Sequence, residues 1–330
     1  MDSLSQFALG AACGVAALGR RTAPWKAALW GGVFGTLPDL DVLVDHGDAL
    51  ANMTRHRGDS HALFWLTLVA PAFAALPAWL HGGGFGRWWL AAWLALVTHP
   101  LLDAMTVYGT QLLRPFDTTP LGVGSMFIID PLYTLPLLVG TAVLSGRLRW
   151  NTAGLALSTA YLAWSFAAQQ HVLGVARASL AAQGIAAERM LVTPAPLNTV
   201  LWRVVAVKGD MVHEGFRSLL DREPQMRFDR FDRGAAWWPA LAAHPPVQEL
   251  ATFSHGFVKL QRVGDAVHVT DLRMGQEPNH VFSFPIARVA PDGTVTPVPA
   301  TVNEGRRGDA RAGLRWIGQR IVGNPLPPPR

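Results

Sequence analysis

Apolar residues gather in six blocks over the first half of the chain and in short alternating runs over the second. The blocks cover residues 4–19, 27–37, 62–80, 88–102, 131–144 and 152–170. At 1.5 Å per residue, the block 62–80 is long enough for a bilayer core of roughly 30 Å. The pattern predicts an α-helical polytopic membrane domain of about six helices over 1–171, with the short blocks 4–19 and 27–37 tilted or re-entrant. Beyond residue 172 the period changes. Residues 172–190 predict a surface helix exposing Arg177, Glu188 and Arg189. Alternation then predicts a strand at 201–207. It also predicts hairpins 256–263/266–272 about Gly264-Asp265 and 281–289/295–298 about Pro291-Asp292-Gly293. The expected second domain, within 172–330, is a small, mainly antiparallel β (α+β) soluble domain over about 190–325, packed on the outer face.

Charge sharpens the division. Only 15% of the 330 residues are charged, against roughly 25% in soluble domains. Residues 1–171 carry nine Arg/Lys and nine acidic residues, every one an Asp; of the totals of 28 and 23, this leaves 19 basic and 14 acidic for the remainder. Short carboxylates suit helix ends and metal sites better than solvated helix faces. One cysteine, Cys13, excludes a disulfide within the chain. The start, Met1-Asp2-Ser3, lacks the basic stretch of a signal peptide, so the first apolar block is expected to stay.

Six crossings would place the turns 20–26, 81–87 and 145–151 on one face. These hold Arg20, Arg21, Lys26, Arg87, Arg147 and Arg149 and no acid. The positive-inside rule puts them in the cytoplasm. A multi-pass chain is then expected to hold the C-terminal domain and the opposite face outside, in the periplasm of a Gram-negative host. That opposite face collects Asp2, Asp39, Asp41, His56, His61, His99, Asp103 and Asp130.

These residue types have metal chemistry in common. His99 and Asp103, four apart, share a helical face, where they chelate an ion or the carboxylate orients the imidazole. His56 and His61 meet one centre only if Gly58 turns the chain. Asp39 and Asp41 flank Leu40 after Pro38 and reach one side if the backbone bends. Asp130, before Pro131, also reads as a plain helix cap, and Asp2 is a weak candidate at a chain end. Arg55, Arg57 and Arg114 suit a phosphate or headgroup clamp. His171, His213, His255, His268 and His280 show no ligand spacing.

Taken in order, Met1-Asp2-Ser3-Leu4-Ser5-Gln6, Leu37-Pro38-Asp39-Leu40-Asp41, His56-Arg57-Gly58-Asp59-Ser60-His61, His99-Pro100-Leu101-Leu102-Asp103 and Ile129-Asp130-Pro131 resemble the bacterial YdjM-like family. These are predicted inner-membrane, metal-dependent hydrolases. The likeness continues through Tyr108-Gly109-Thr110-Gln111 to Thr270-Asp271-Leu272-Arg273-Met274-Gly275 and covers nearly the whole chain. It implies metal ligands from Asp39/Asp41, His56/His61 and His99/Asp103. Many members carry His where this chain has Gln6, which implies a reduced or shifted site here. A more distant likeness to zinc-dependent phospholipase C enzymes implies a phosphoester substrate.

The expected function is a membrane-embedded hydrolase that uses metal-activated water on a phospholipid or other phosphoester. Its cofactor would be a divalent metal, zinc before manganese or iron. Asp39, Asp41, His56, His61, His99, Asp103 and Asp2 would bind metal. Asp130 or Asp59 would orient water, and Arg55, Arg57 or Arg114 would hold phosphate. Membrane lipid is the expected partner, with no nucleic acid. An ion-coupled transporter would use the same Asp/His set near the bilayer midplane on broken helices, and a non-catalytic envelope scaffold would not need it.

Overall fold

The computed structural model describes residues 1–19, 21–143 and 148–330. Arg20 and Arg147, two of the basic residues expected on the cytoplasmic face, lie outside them. The chain divides into two compact units. The first holds Met1–Val44, His56–Ala167 and Pro196–Asn198; the second holds Asp45–Arg55, Ala168–Ala195 and Thr199–Arg330.

The first unit is built on α1 (Ser3–Leu18) and α2 (Pro24–Thr36), packed almost backbone to backbone. Glycines four apart make this possible. A Cβ at Gly10 or at Gly31 would fall 2.3 Å from the carbonyl oxygen of the other, and one at Gly14 would fall 2.3 Å from Ala27 O. Small residues at this spacing let membrane helices approach closely. A 3-10 segment, Leu37–Leu43, follows α2. In the second unit lies α3 (Ala49–Arg55). The first unit resumes with the short 3-10 turn Asp59–His61, α4 (Leu63–His81) and α5 (Phe85–Asp103). It then continues with α6 (Pro131–Leu138), which runs into a π-helical turn, Val139–Val143. Phe34, Leu66, Ala70, Trp88, Ala92 and Leu96 form one core, and Leu9, Cys13, Leu102, Met126, Tyr133 and Leu137 another.

The number of crossings differs from expectation. Among the described residues only α4 is both long and apolar enough to span a bilayer. It buries just Leu66, Ala70, Ala74 and Pro77, a single stripe, and leaves Phe64, Trp65, Leu68, Phe73, Leu76 and Trp79 exposed. The physical reason is length and polarity. The 16 residues of α1, 13 of α2 and 8 of α6 reach about 24, 20 and 12 Å. The fourth block, α5, carries Arg87, His99 and Asp103. The sixth block and the expected surface helix are one helix, α7 (Leu148–Ala182), 35 residues long with polar positions throughout.

The second unit is antiparallel, as the alternation predicts. Strands β1 (Arg189–Pro194), β2 (Leu201–Lys208), β3 (Met211–Ser218) and β4 (Asp229–Asp232) form one sheet in that order. The short α8 (Trp238–Leu241) and α9 (Pro245–Phe253) follow. Hairpin β5 (Val258–Val263) and β6 (Ala266–Asp271) turns at Gly264, whose φ of +63° a side chain would resist. The small hairpin β7 (Gly275–Gln276) and β8 (Asn279–His280) precedes β9 (Ser283–Val289) and β10 (Val295–Pro297). The second sheet runs β10-β9-β6-β5. Last comes α10 (Ala310–Ile321), capped by Asp309. Val192, Trp202, Val204 and Met226 pack with Ala168, Val172 and Ala176 of α7.

Candidate metal centre

Three breaks in regular helix bring four donors together. After α2, Pro38 starts the 3-10 segment that carries Asp39 and Asp41. At three residues per turn, positions two apart face about 120° away from each other, so the two carboxylates serve different partners. Before α4, the chain reverses at Arg57, with φ of 65°; Gly58 sits at −85°. The left-handed residue is thus Arg57 and not the glycine, a strain that persists only where surroundings fix it. The backbone N–H of Arg57 donates to Asp41 Oδ2 at 3.0 Å, and its guanidinium lies over the Tyr108 ring at 4.7 Å. At the end of α5, His99 and Asp103 stand one turn apart.

Asp39 Oδ1, His61 Nε2, His99 Nε2 and one Asp103 oxygen lie within 4.8 Å of one another. His61 Nε2 is 3.1 Å from His99 Nε2, 3.6 Å from Asp39 Oδ1 and 3.3 Å from Asp103 Oδ2. His99 Nε2 is 3.4 Å from Asp39 Oδ1 and 3.5 Å from Asp103 Oδ2. Donors held at roughly 2.0–2.1 Å from a tetrahedral zinc sit about 3.3–3.4 Å apart, the middle of this range.

Hydrogen bonding fixes what these atoms are. His99 Nδ1 is 2.6 Å from the Gly35 carbonyl oxygen, which only accepts, so the proton is on Nδ1. Ser60 Oγ donates to Asp41 Oδ2 at 2.6 Å and must therefore accept from His61 Nδ1 at 2.9 Å. In the neutral rings both Nε2 atoms then present lone pairs, to each other and to two carboxylates. Four acceptors aimed at one point are satisfied only by a cation. Metal-bound histidine commonly has its far nitrogen tied to a carbonyl or carboxylate, as His99 is to Gly35 directly and His61 to Asp41 through Ser60.

The electrostatics agree. Burial opposes charge on His61, yet Asp103, Asp39 and Asp41 outweigh it and push its pKa up to about 9. Burial likewise works to raise Asp39 and Asp41, but the imidazoles of His61 and His99 beside the first, and those of His56 and His61 with the Ser60 hydroxyl beside the second, hold both well below the usual carboxylate range. With no metal, a proton takes the cation's place. Asp103 is anchored through Oδ1 by the Met1 amino group and by Gln6 Nε2 at 3.1 Å, while Arg57 Nε lies 3.2 Å from Oδ2, the oxygen that faces the histidines. Gln6 also donates to the His99 carbonyl at 3.2 Å, so four donors assemble without a histidine at this position.

The other candidates are placed elsewhere. Asp41 and His56 are adjacent to the centre but outside the four donors: His56 Nδ1 is 2.8 Å from Asp41 Oδ1, and the donors around Asp41 make it a support for His61. Asp2 caps α1, accepting from Leu4 N and Ser5 N at 3.1 Å. Asp130 caps α6, accepting from Leu132 N at 3.0 Å and Tyr161 Oη at 2.9 Å. Asp59 pairs with Arg114 at 3.0 Å, and Arg114 also holds Gln111. Arg55 ends α3 of the second unit, exposed. The reading by spacing passed over Ser60 and the Gly35 carbonyl. Gly31 and Gly35, four apart, are a close-packing signal that could have pointed to the second.

Comparison with known proteins agrees with the helical unit. The chain is 30% identical over 110 residues to the uncharacterized protein YfhP of Bacillus subtilis, covering 32% of this chain and 33% of that one. It is 32% identical over 93 residues to the inner membrane protein YbcI of Escherichia coli, covering 28% of this chain and 54% of that one. The matched stretches thus span a third to a half of these relatives. No solved structure matches the chain. The family model described as YdjM inner membrane protein matches residues 1–172, about half of the chain and the part that holds all four donors. The chain belongs to the YdjM inner membrane protein family.

Proposed function

We propose that this chain is a membrane-associated, metal-dependent hydrolase of phosphoesters, with zinc in the centre formed by Asp39, His61, His99 and Asp103 and a phospholipid as substrate. The observation that carries the reading is the convergence of four acceptor atoms, three of them on fully buried side chains, with both histidine Nδ1 atoms already bonded. A bound divalent ion lowers the pKa of water and draws charge from a phosphoryl oxygen.

The chain's own groups divide the remaining work. Gly35 and Ser60 fix the imidazoles, and Asp41 holds Ser60 and His56. The Asp39 side chain is 23% exposed while His61, His99 and Asp103 are closed off, so substrate approaches from the Asp39 side. His56, 23% exposed and 5.8 Å ring to ring from His61, is the proton carrier to the leaving oxygen. The exposed apolar surface of α4 supports a lipid setting. Lys26 and Arg87 lie at its C-terminal end, where Lys26 Nζ is 3.5 Å from His81, and the Asp/His set lies at its N-terminal end. The positive-inside rule then turns the centre toward the periplasm.

The test is phosphoester release from phospholipid vesicles by detergent-purified protein. Turnover should cease with chelator, return with zinc and fall at least about a hundredfold in Asp103→Asn. Zinc-loaded protein that moves ions across proteoliposomes yet hydrolyses no phospholipid would refute the reading.

A further inference from the structure

The second sheet of the second unit turns a polar row inward. Register sets Gln261 opposite His268, and Thr270 opposite both Lys259 and Ser283. Residues two apart share a face, so these five form one row across β5, β6 and β9. His268, Thr270 and Ser283 are buried, and burying such groups costs free energy unless each is paired. Thr270 Oγ1 is 2.8 Å from Ser283 Oγ, which is 3.3 Å from His268 Nδ1. With Gln261 they line a cavity of about 130 Å³, room for roughly four waters. Asn279 and His280 line it from the β8 side, and Glu304 and Arg306 from the segment before α10.

His280 is the unexplained group. It is 2% exposed, and neither ring nitrogen completes a hydrogen bond. The Glu277 carboxylate is 4.0 Å away and is held instead by Lys259 Nζ, 2.7 Å from both its oxygens. Native buried polar groups are nearly always paired. The nearby cations Lys259, Arg203 and Arg288 are paired with Glu277, Glu214 and Asp265, which leaves Arg306 as the cation at the cavity, beside Glu304. Burial, then Lys259 and Arg203, hold the His280 imidazole well below its ordinary pKa. Burial, Arg306 and Arg288 lower His268, against Glu304, whose carboxylate lies 3.5 Å from Nε2. Glu304 is half exposed and answers one imidazole. Arg306 is exposed, with no ion-pair partner among the described residues.

We propose that this cavity binds a small tetrahedral oxyanion, the phosphate group of inorganic phosphate or of a phosphomonoester, with His280 donating from within and Arg306 closing the charge at the rim. Size and donor chemistry both fit such a group. The cavity belongs to the second unit and the metal centre to the first, and the proposal does not rest on the hydrolase reading.

The experiment uses the full chain in detergent, stripped with chelator so that metal-bound phosphate does not contribute, and titrated calorimetrically with inorganic phosphate. One saturable site is expected. Arg306→Gln and His280→Gln should each weaken it about tenfold, the loss of one charge-assisted hydrogen bond. His99→Ala, in the other site, should leave it unchanged. Competition by glycerol phosphate without binding to phosphatidic acid vesicles assigns a soluble ligand; vesicle binding reversed by inorganic phosphate assigns a lipid headgroup. No heat with millimolar phosphate, or full affinity in Arg306→Gln, whose exposed side chain is not needed for folding, overturns the proposal.

Discussion

Gly35→Ala tests whether the packing of α1 on α2 builds the metal centre. A Cβ there would stand 2.7 Å from Gln6 O and 3.0 Å from Gly10 Cα, whereas ordinary contact begins at 3.4 Å. The helices must separate by about 0.7 Å at this point, an overpacking that costs roughly 1–3 kcal/mol. The displaced group is the carbonyl that holds His99 Nδ1 at 2.6 Å, and the clashing atom belongs to Gln6, which holds Asp103. Losing such outer supports costs about 10–100-fold in metal affinity. Zinc titration against a chromogenic chelator, beside thermal unfolding of the metal-free protein, measures both effects. Gly174→Ala is the control: nothing lies within 4 Å of its added Cβ, so it should leave zinc affinity alone and gain up to about 1 kcal/mol from helix propensity. Wild-type zinc affinity in Gly35→Ala would refute the link from helix packing to the centre.

Three further outcomes follow from the same geometry. Zinc affinity should rise with pH by about tenfold per unit until about 9, because binding must displace the proton on His61, whose pKa is pushed up to about 9; a flat profile between pH 6 and 8 would contradict this. In metal-free protein the raised His61 pKa stabilises the fold below its unfolded value of 6.5 and is lost as pH climbs through about 9, so the apparent melting temperature should fall over that window and be restored by zinc. Asp130→Ala should lose about 1 kcal/mol as a helix cap while metal binding stays intact; loss of bound metal in a folded Asp130→Ala protein would return Asp130 to the centre.

How much of this could be read from the residues depended on distance along the chain. His99 and Asp103, four apart on one helix, were legible because helical period alone puts them together. His61 and Asp39 were legible as types, but their meeting depends on a left-handed Arg57 and on a 3-10 segment that separates Asp39 from Asp41, and neither follows from local propensity. Asp41 and His56 therefore read as ligands, and they lie beside the four grouped donors, paired with each other. The β hairpins were clear from their turn residues. The count of crossings was not, because apolar blocks in α1 and α2 mark a glycine-packed core as readily as a span, and length decides between them. His268 and His280, 12 residues apart in sequence, have no spacing signal; strand register and a hairpin bring them to one cavity.

The most direct test of the account is the metal content of detergent-purified full chain, measured by elemental analysis after dialysis against metal-free buffer and repeated in His61→Ala, His99→Ala and Asp103→Ala. Four donors sharing one centre predict about one equivalent of a divalent metal, zinc foremost, in the parent protein and its loss in each folded variant. A parent protein that carries no such metal and takes up none when zinc is offered would contradict the central claim.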